Sequence, residues 1–233
     1  MARDNIALVT GANKGIGYEI ARQLGQKGFH VLVGARRADA GQQATASLQK
    51  DGASAEFVEI DVSDRASIQK AAKAVAARID HLDVLVNNAG IMEDKKGVAE
   101  VDDDTLLRTL TTNTLGPLRV TQAFLPLLVK GPHASVVNMS SGLGQLNDMG
   151  DTYPAYSISK TALNAVTRQF AAALKDKRIT VNSVCPGWVK TDMGGPNAPR
   201  TVEQGADTVT WLATEAPRDL TGQFLRDRNV IPW

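Results

Sequence analysis

Short apolar runs alternate with longer stretches of mixed character from one end of the chain to the other. Ala7-Leu8-Val9, Val84-Leu85-Val86 and Val136-Val137 are continuously apolar. A strand with one face in water alternates apolar and polar residues, whereas a parallel strand covered by helices on both faces does not. On this basis strands are expected at Asn5–Thr10, His30–Ala35, Ala55–Val62, Asp83–Asn87, Ala134–Met139, Ile179–Val184 and Gln223–Leu225. Helical patterns fall between them, over Gly15–Lys27, Ala40–Lys50, Arg65–Ile79, Asp102–Leu128, Tyr153–Lys175 and Thr201–Thr214.

Strand and helix alternating in this order predict an α/β fold. It is a doubly wound parallel sheet of about seven strands with helices on both faces, and residues 1–233 form a single domain. Right-handed crossovers then bring the carboxyl ends of the strands to one edge, which is where such sheets bind ligands.

Composition narrows the field without selecting a function. The 233 residues are 43% hydrophobic, and 26 Lys plus Arg nearly balance 25 Asp plus Glu. A net charge of +1 gives no electrostatic reason to expect a nucleic acid or an anionic membrane as partner. The single cysteine, Cys185, cannot form an intrachain disulfide. Met1-Ala2-Arg3-Asp4-Asn5 runs into the first strand without an apolar leader, and no run reaches the length of a membrane span. A cytoplasmic setting is expected. His30, His81 and His133 lack metal-ligand spacing, so no metal is expected.

The chemistry begins in the first loop, Thr10-Gly11-Ala12-Asn13-Lys14-Gly15-Ile16-Gly17, which follows a strand and opens a helix. Glycines there allow a tight turn and close approach of backbone to a phosphate, and the helix start stabilises the anion. The loop lacks the Gly-Lys-Ser/Thr ending of a nucleotide-hydrolysing P-loop and predicts a Rossmann-type dinucleotide site. In sites that take NAD, an acidic residue at the end of the second strand accepts bonds from the ribose 2′-hydroxyl. Here that position reads Val33-Gly34-Ala35-Arg36-Arg37. Two arginines, with Lys14 as a third cation, suit a 2′-phosphate, so NADP(H) is the expected cofactor.

Tyr156 and Lys160 stand four residues apart, on one face of a predicted helix. A phenol is a poor acid–base group at neutral pH, and a neighbouring ammonium lowers its pKa. Ser140-Ser141-Gly142 ends one strand at the same sheet edge, and Asn87-Asn88-Ala89-Gly90 ends another, where it can shape the floor beneath a cofactor. Asn113 interrupts an apolar helix, where a buried amide needs a specific partner. Ser157-Ile158-Ser159-Lys160 also fits the Ser-x-x-Lys of β-lactam-binding enzymes, but the companion Ser-Asp-Asn and Lys-Thr-Gly motifs are absent.

Taken in order, Thr10–Gly17, Asn87–Gly90, Asn113, Ser141, Tyr156 with Lys160, and Pro186-Gly187 resemble the motif set of the short-chain dehydrogenase/reductase family, over essentially the whole chain. The resemblance implies a catalytic tetrad of Asn113, Ser141, Tyr156 and Lys160. Tyr156 would be the acid–base, and Ser141 would hydrogen-bond the substrate oxygen. Lys160 would bind the nicotinamide ribose and depress the Tyr156 pKa, and Asn113 would hold a relay water. Ser141 fits the family register better than Ser140, which stays as the alternative. The resemblance further implies cofactor contacts from Gly11, Asn13, Lys14, Gly15, Ile16 and Gly17, from Arg36, and from Asp61 and Val62 beside the adenine. Asn88, Ala89 and Gly90, then Pro186, Gly187, Val189 and Thr191, would complete them.

Cys185–Met193, Glu203–Ala206, Gly222–Phe224 and the final Trp233 resemble the carbonyl reductase subgroup, as do Asn13-Lys14 and Ala35-Arg36. The implied reaction is NADPH-dependent reduction of an aldehyde or ketone. The alternatives are an NADP-dependent alcohol or hydroxysteroid-type dehydrogenase and a non-catalytic NADP(H)-binding sensor. Monomeric animal members carry a long insertion before the catalytic tyrosine, but here only 14 residues separate Ser141 from Tyr156. Helices Asp102–Leu128 and Tyr153–Lys175 are therefore expected to be free to form a homodimer or homotetramer. The short segment Thr191–Arg200 predicts an open substrate pocket.

Overall fold

The computed structural model describes residues 5–94 and 96–233; Met1–Asp4, on which the reading of the leader rests, lie outside them. Eight strands form one sheet: β1 (Ile6–Thr10), β2 (His30–Ala35), β3 (Ala55–Glu59), β4 (Val84–Asn87), β5 (Ser135–Met139), β6 (Thr180–Val184), β7 (Phe224–Arg226) and β8 (Asn229–Val230). Their order is β3-β2-β1-β4-β5-β6-β7-β8. All neighbours pair in parallel except β7 and β8.

Seven helices connect the strands: α1 (Gly15–Gln26), α2 (Ala38–Lys50), α3 (Arg65–Ala76), α4 (Asp103–Leu110), α5 (Gly116–Leu128), α6 (Pro154–Leu174) and α7 (Val202–Thr214). The apolar strand runs serve both faces. Leu8, Leu85 and Val136 pack with Ile68, Phe124 and Leu174 on the α3, α5 and α6 side. Ala7, Val9, Val86 and Val137 pack with Ile20, Leu48 and Leu212 on the α1, α2 and α7 side. Each such fully buried Val, Leu or Ile contributes roughly 1.5–3 kcal/mol. No helix among the described residues is long and apolar enough to cross a membrane.

Three elements differ from expectation. The eighth strand is new. Its hairpin turns through Asp227 and Arg228, both at positive φ (51° and 62°). Such turns favour glycine or asparagine, and Asp-Arg does not advertise one. β3 stops at Glu59 because Asp61 forms a local turn, its Oδ1 accepting from the Ser63 N–H at 2.9 Å. The stretch expected as one helix over Asp102–Leu128 is broken by a π-helical segment at Thr111–Leu115. There Gly116 donates to the Thr111 carbonyl, five residues back. Pro117 has no N–H to offer the carbonyl of Asn113.

The last residues return across the sheet. The Trp233 ring stacks on Phe224, with centroids 5.5 Å apart, and Arg168 of α6 sits 5.5 Å from its centre. The Leu146 N–H donates to the Trp233 carbonyl and Gln145 Nε2 to that of Pro232, tying this tail to the segment that follows Ser141.

Candidate active site

β1 ends in a turn that only glycines allow. Gly11 and Gly15 have φ of +64° and +59°. At Gly17 a Cβ would lie 2.3 Å from Asn88 Nδ2 and 2.4 Å from the Gly11 carbonyl oxygen. Asn88 closes the loop against β4: its Nδ2 donates to the carbonyls of Thr10 (2.9 Å) and Gly11 (3.2 Å). Thr10 Oγ1 accepts from the N–H groups of Asn88 and Ala89. The first N–H groups of α1 receive no side-chain cap from Lys14, and its first turn holds no acid. An uncapped, acid-free helix start beside a glycine turn fits a pyrophosphate. The half-buried Asn13 and Ile16 belong to the same turn.

The cations expected to meet a 2′-phosphate are partly engaged. Lys14 Nζ lies 2.5 Å from Asp192 Oδ2, both side chains largely exposed. Arg37 turns to Asp39 of its own helix. Arg36, 73% exposed, follows the end of β2 and stands 4.0 Å from Asp61 Oδ2 in the turn after β3. Val62 is buried against α5, where a Cβ at Gly116 would lie 2.9 Å from the Val62 carbonyl oxygen.

Beyond β6 the chain folds back over the glycine turn. Gly187 has φ of +77°, and a Cβ there would lie 2.5 Å from Arg200 Cδ. Val189 is buried and bridges to Arg200. Thr191 Oγ1 accepts from the Gly194 N–H, and its Cγ2 would meet a Gly15 Cβ at 3.5 Å. Pro186 through Thr191 and the glycine turn thus bound a candidate crevice at the carboxyl edge of the sheet.

Tyr156 and Lys160 occupy successive turns of α6, and both are buried. Lys160 Nζ donates to the Met139 carbonyl at 2.8 Å and lies 5.4 Å from the centre of the Tyr156 ring. A Cβ on Gly90 would sit 3.4 Å from that Nζ and 3.2 Å from Asn113 Oδ1, so Gly90 keeps this corner open. The Ser141 hydroxyl lies near enough to the Tyr156 phenol to favour its ionised form. Ser140 is turned inward, toward the Lys160 carbonyl at 3.4 Å. The structure therefore puts Ser141 beside the phenol.

Burial governs the ionisation of both groups. It pushes Tyr156 up to about 12, against the opposing effect of the Ser141 hydroxyl. Burial also holds Lys160 down at about 8. The lowering of the phenol expected from Lys160 does not appear beside this desolvation, and Tyr156 is protonated at neutral pH.

Asn113 is fully buried, and its amide is committed. Oδ1 accepts from the Ile91 N–H (2.8 Å), and Nδ2 donates to the Ile91 carbonyl (2.8 Å) and Ser159 Oγ (3.0 Å). The side chain ties the loop after β4 to α6. Pro117 deprives the Asn113 backbone carbonyl of the ordinary helical donor.

Two features escaped the sequence reading. Asp94 accepts from the N–H groups of Ala155 (2.6 Å) and Tyr156 (3.1 Å), and so caps the helix that carries the phenol. The residue that begins this helix, Tyr153, has φ of +52° and caps nothing. Beneath the site, Asn87 Nδ2 donates to Thr121 Oγ1 and Asn138 Oδ1, Asn138 to Thr167, and Thr167 meets Ser183. This buried polar row ties β4, β5, β6, α5 and α6 together. Consecutive Asn-Asn was legible as a signal in the sequence; its partners were not.

Comparison with known proteins gives a consistent picture. The family model described as short chain dehydrogenase matches residues 5–201. NADPH carbonyl reductase 1 of Mus musculus is 34% identical, covering 98% of this chain and 98% of the relative. (+)-Neomenthol dehydrogenase of Arabidopsis thaliana is 32% identical, over 89% and 90%. The crystal structure of NADPH-bound carbonyl reductase from chicken fatty liver superposes with a TM-score of 0.90 at 30% identity, covering all of both chains. The carbonyl reductase Sniffer of Drosophila melanogaster gives 0.88 at 32% identity, over 99% and 100%. The protein belongs to the short-chain dehydrogenase/reductase family of oxidoreductases, and its similarity to curated carbonyl reductases runs the full length of the chain.

Proposed function

We propose that the chain reduces aldehydes and ketones with NADPH. The observation that carries this reading is the buried, protonated Tyr156 phenol, with Ser141 beside it and a buried lysine one helical turn away. The uncapped start of α1 would hold the pyrophosphate, Asn88, Ala89 and Gly90 would floor the nicotinamide riboside, and Pro186 through Thr191 would cover it. Arg36 and Lys14, with no acid at the end of β2, support NADPH over NADH. Lys14 would exchange Asp192 for the phosphate.

When bound, NADPH supplies the hydride that a carbonyl carbon accepts. Ser141 donates a hydrogen bond to the substrate oxygen, where charge develops. Tyr156 gives its Oη proton to that oxygen, completing an alcohol. Lys160, oriented by the Met139 carbonyl, would bond the ribose and favour the phenolate left behind. A water on the Asn113 carbonyl returns the proton from solvent. The short sequence between Ser141 and Tyr156 supports a homo-oligomer, and the lone unpaired Cys185 supports a reducing, cytoplasmic setting.

Loss of NADPH fluorescence with a panel of aldehydes, ketones and quinones tests this reading. Turnover is expected with NADPH in preference to NADH. Tyr156→Phe should lower it roughly 10²–10⁴-fold while leaving NADPH binding intact. Tight NADPH binding without turnover of any carbonyl would favour a cofactor sensor.

A further inference from the structure

Arg226 stands at the carboxyl end of β7, at the edge of the sheet that holds Tyr156. Its neighbour Leu225 packs on the α1, α2 and α7 side, so Arg226 points to the α6 side. Its guanidinium is half-buried and held in place by sulfur: Nε and Nη2 lie 3.3 and 3.2 Å from Cys185 Sγ. The same sulfur accepts from the Gly142 N–H at 3.1 Å. A Cβ on Gly142 would lie 2.6 Å from Arg226 Nη2, so only glycine lets the guanidinium reach the residue that follows Ser141.

No carboxylate lies within salt-bridge distance of Arg226 among the described residues, although seven other arginines have one. The adjacent Asp227 is occupied by Arg200, which bonds both of its oxygens. Of the five N–H groups of the fork, two face Cys185; nothing else among the described residues accepts from the rest. The segments that touch this fork carry exposed apolar side chains close by in sequence: Leu143 follows Gly142, and Trp188 stands three residues past Cys185. A guanidinium fixed against the residue that follows Ser141, with donors to spare and apolar side chains on the neighbouring segments, has the design of a carboxylate receptor.

We propose that Arg226 is a specificity-determining residue that binds the carboxylate of an oxo-acid substrate, whose carbonyl lies at Ser141 and Tyr156. This rests on the reductase reading above. The ligand is a carbonyl compound with an apolar body, such as an aromatic ring, that bears an anionic group away from the reacting carbon.

The probes are 3- and 4-carboxybenzaldehyde and their neutral methyl esters. The wild-type protein should show kcat/KM at least tenfold higher for one of the acids than for its ester. Arg226→Gln should bring acid and ester within about twofold by raising KM for the acid, with the ester unchanged. Arg226→Glu should reverse the preference toward an aldehyde bearing a trimethylammonium group. Calorimetry on the NADP-loaded protein with the corresponding hydroxymethylbenzoates reads the same site without turnover, and binding should weaken at least tenfold in Arg226→Gln. No acid preference in the wild type, or an equal loss of acid and ester in Arg226→Gln, overturns the proposal. Carboxylate binding that depends on Arg226, without reduction of any probe, would sustain the site and sink the reductase reading.

Discussion

Lys160 is a cation placed where water cannot reach it. Burial lowers its pKa from 10.5 to about 8, and no carboxylate among the described residues compensates. A shift of that size corresponds to about 3 kcal/mol between the protonated and neutral forms. Because the folded value lies below the unfolded one, the protonated lysine opposes folding below about pH 8. Stability then rises with pH between about 8 and 10.5. Tyr156 acts in the opposite sense above its ordinary value of 10, since the folded chain keeps a proton that the unfolded chain loses. Lys160→Met should therefore raise the Tm of the ligand-free protein by several degrees at pH 7 and abolish turnover. Thermal melts at pH 7 and pH 10 check the first part, and the gain should be largely gone at the higher pH. In the wild type, kcat/KM for NADPH reports the free protein. It is expected to fall as pH rises through about 8, where Lys160 loses its charge. A profile flat to pH 10 would contradict that assignment.

At the scale of elements, the helix bearing the phenol starts badly by itself. Tyr153 is left-handed and its side chain caps nothing, so the start depends on Asp94, brought from the loop after β4. Loss of such a cap costs about 1–2 kcal/mol. Asp94→Ala should lower Tm by several degrees and lower kcat by loosening Tyr156, while Asp94→Asn, which keeps an acceptor, recovers most of both. An alanine variant with unchanged kcat would show that the cap serves stability alone. These elements also mark where sequence reading stops. The glycine turn and the Tyr156–Lys160 pair were legible because their chemistry is local, within eight residues of chain. The Asp94 cap spans some sixty residues and has no short-range signature. The π segment left only Gly116-Pro117 as a trace, and the Asp227-Arg228 turn left none, because neither residue is the glycine that a positive φ favours.

For the whole molecule, alternation of apolar runs was sufficient to read the layered fold, since both faces of the sheet are filled by residues adjacent in sequence. The expected association of copies would use the outer surface. Leu107 on α4 and Ile158 on α6 are exposed large apolar side chains on the two segments expected to meet a second copy. Sedimentation should give a dimer or tetramer at micromolar concentration, and Leu107→Lys with Ile158→Glu should give a monomer. A monomeric wild type would reassign those residues to solvent.

The docked tail has a practical side. With Trp233 stacked on Phe224 and its carbonyl bonded to Leu146, anything fused after it emerges beside the segment that follows Ser141. Purification handles and reporter domains placed there would crowd the mouth of the crevice. The amino end of β1 lies across the sheet from the chemistry, so attachments ahead of that strand are expected to leave the crevice clear.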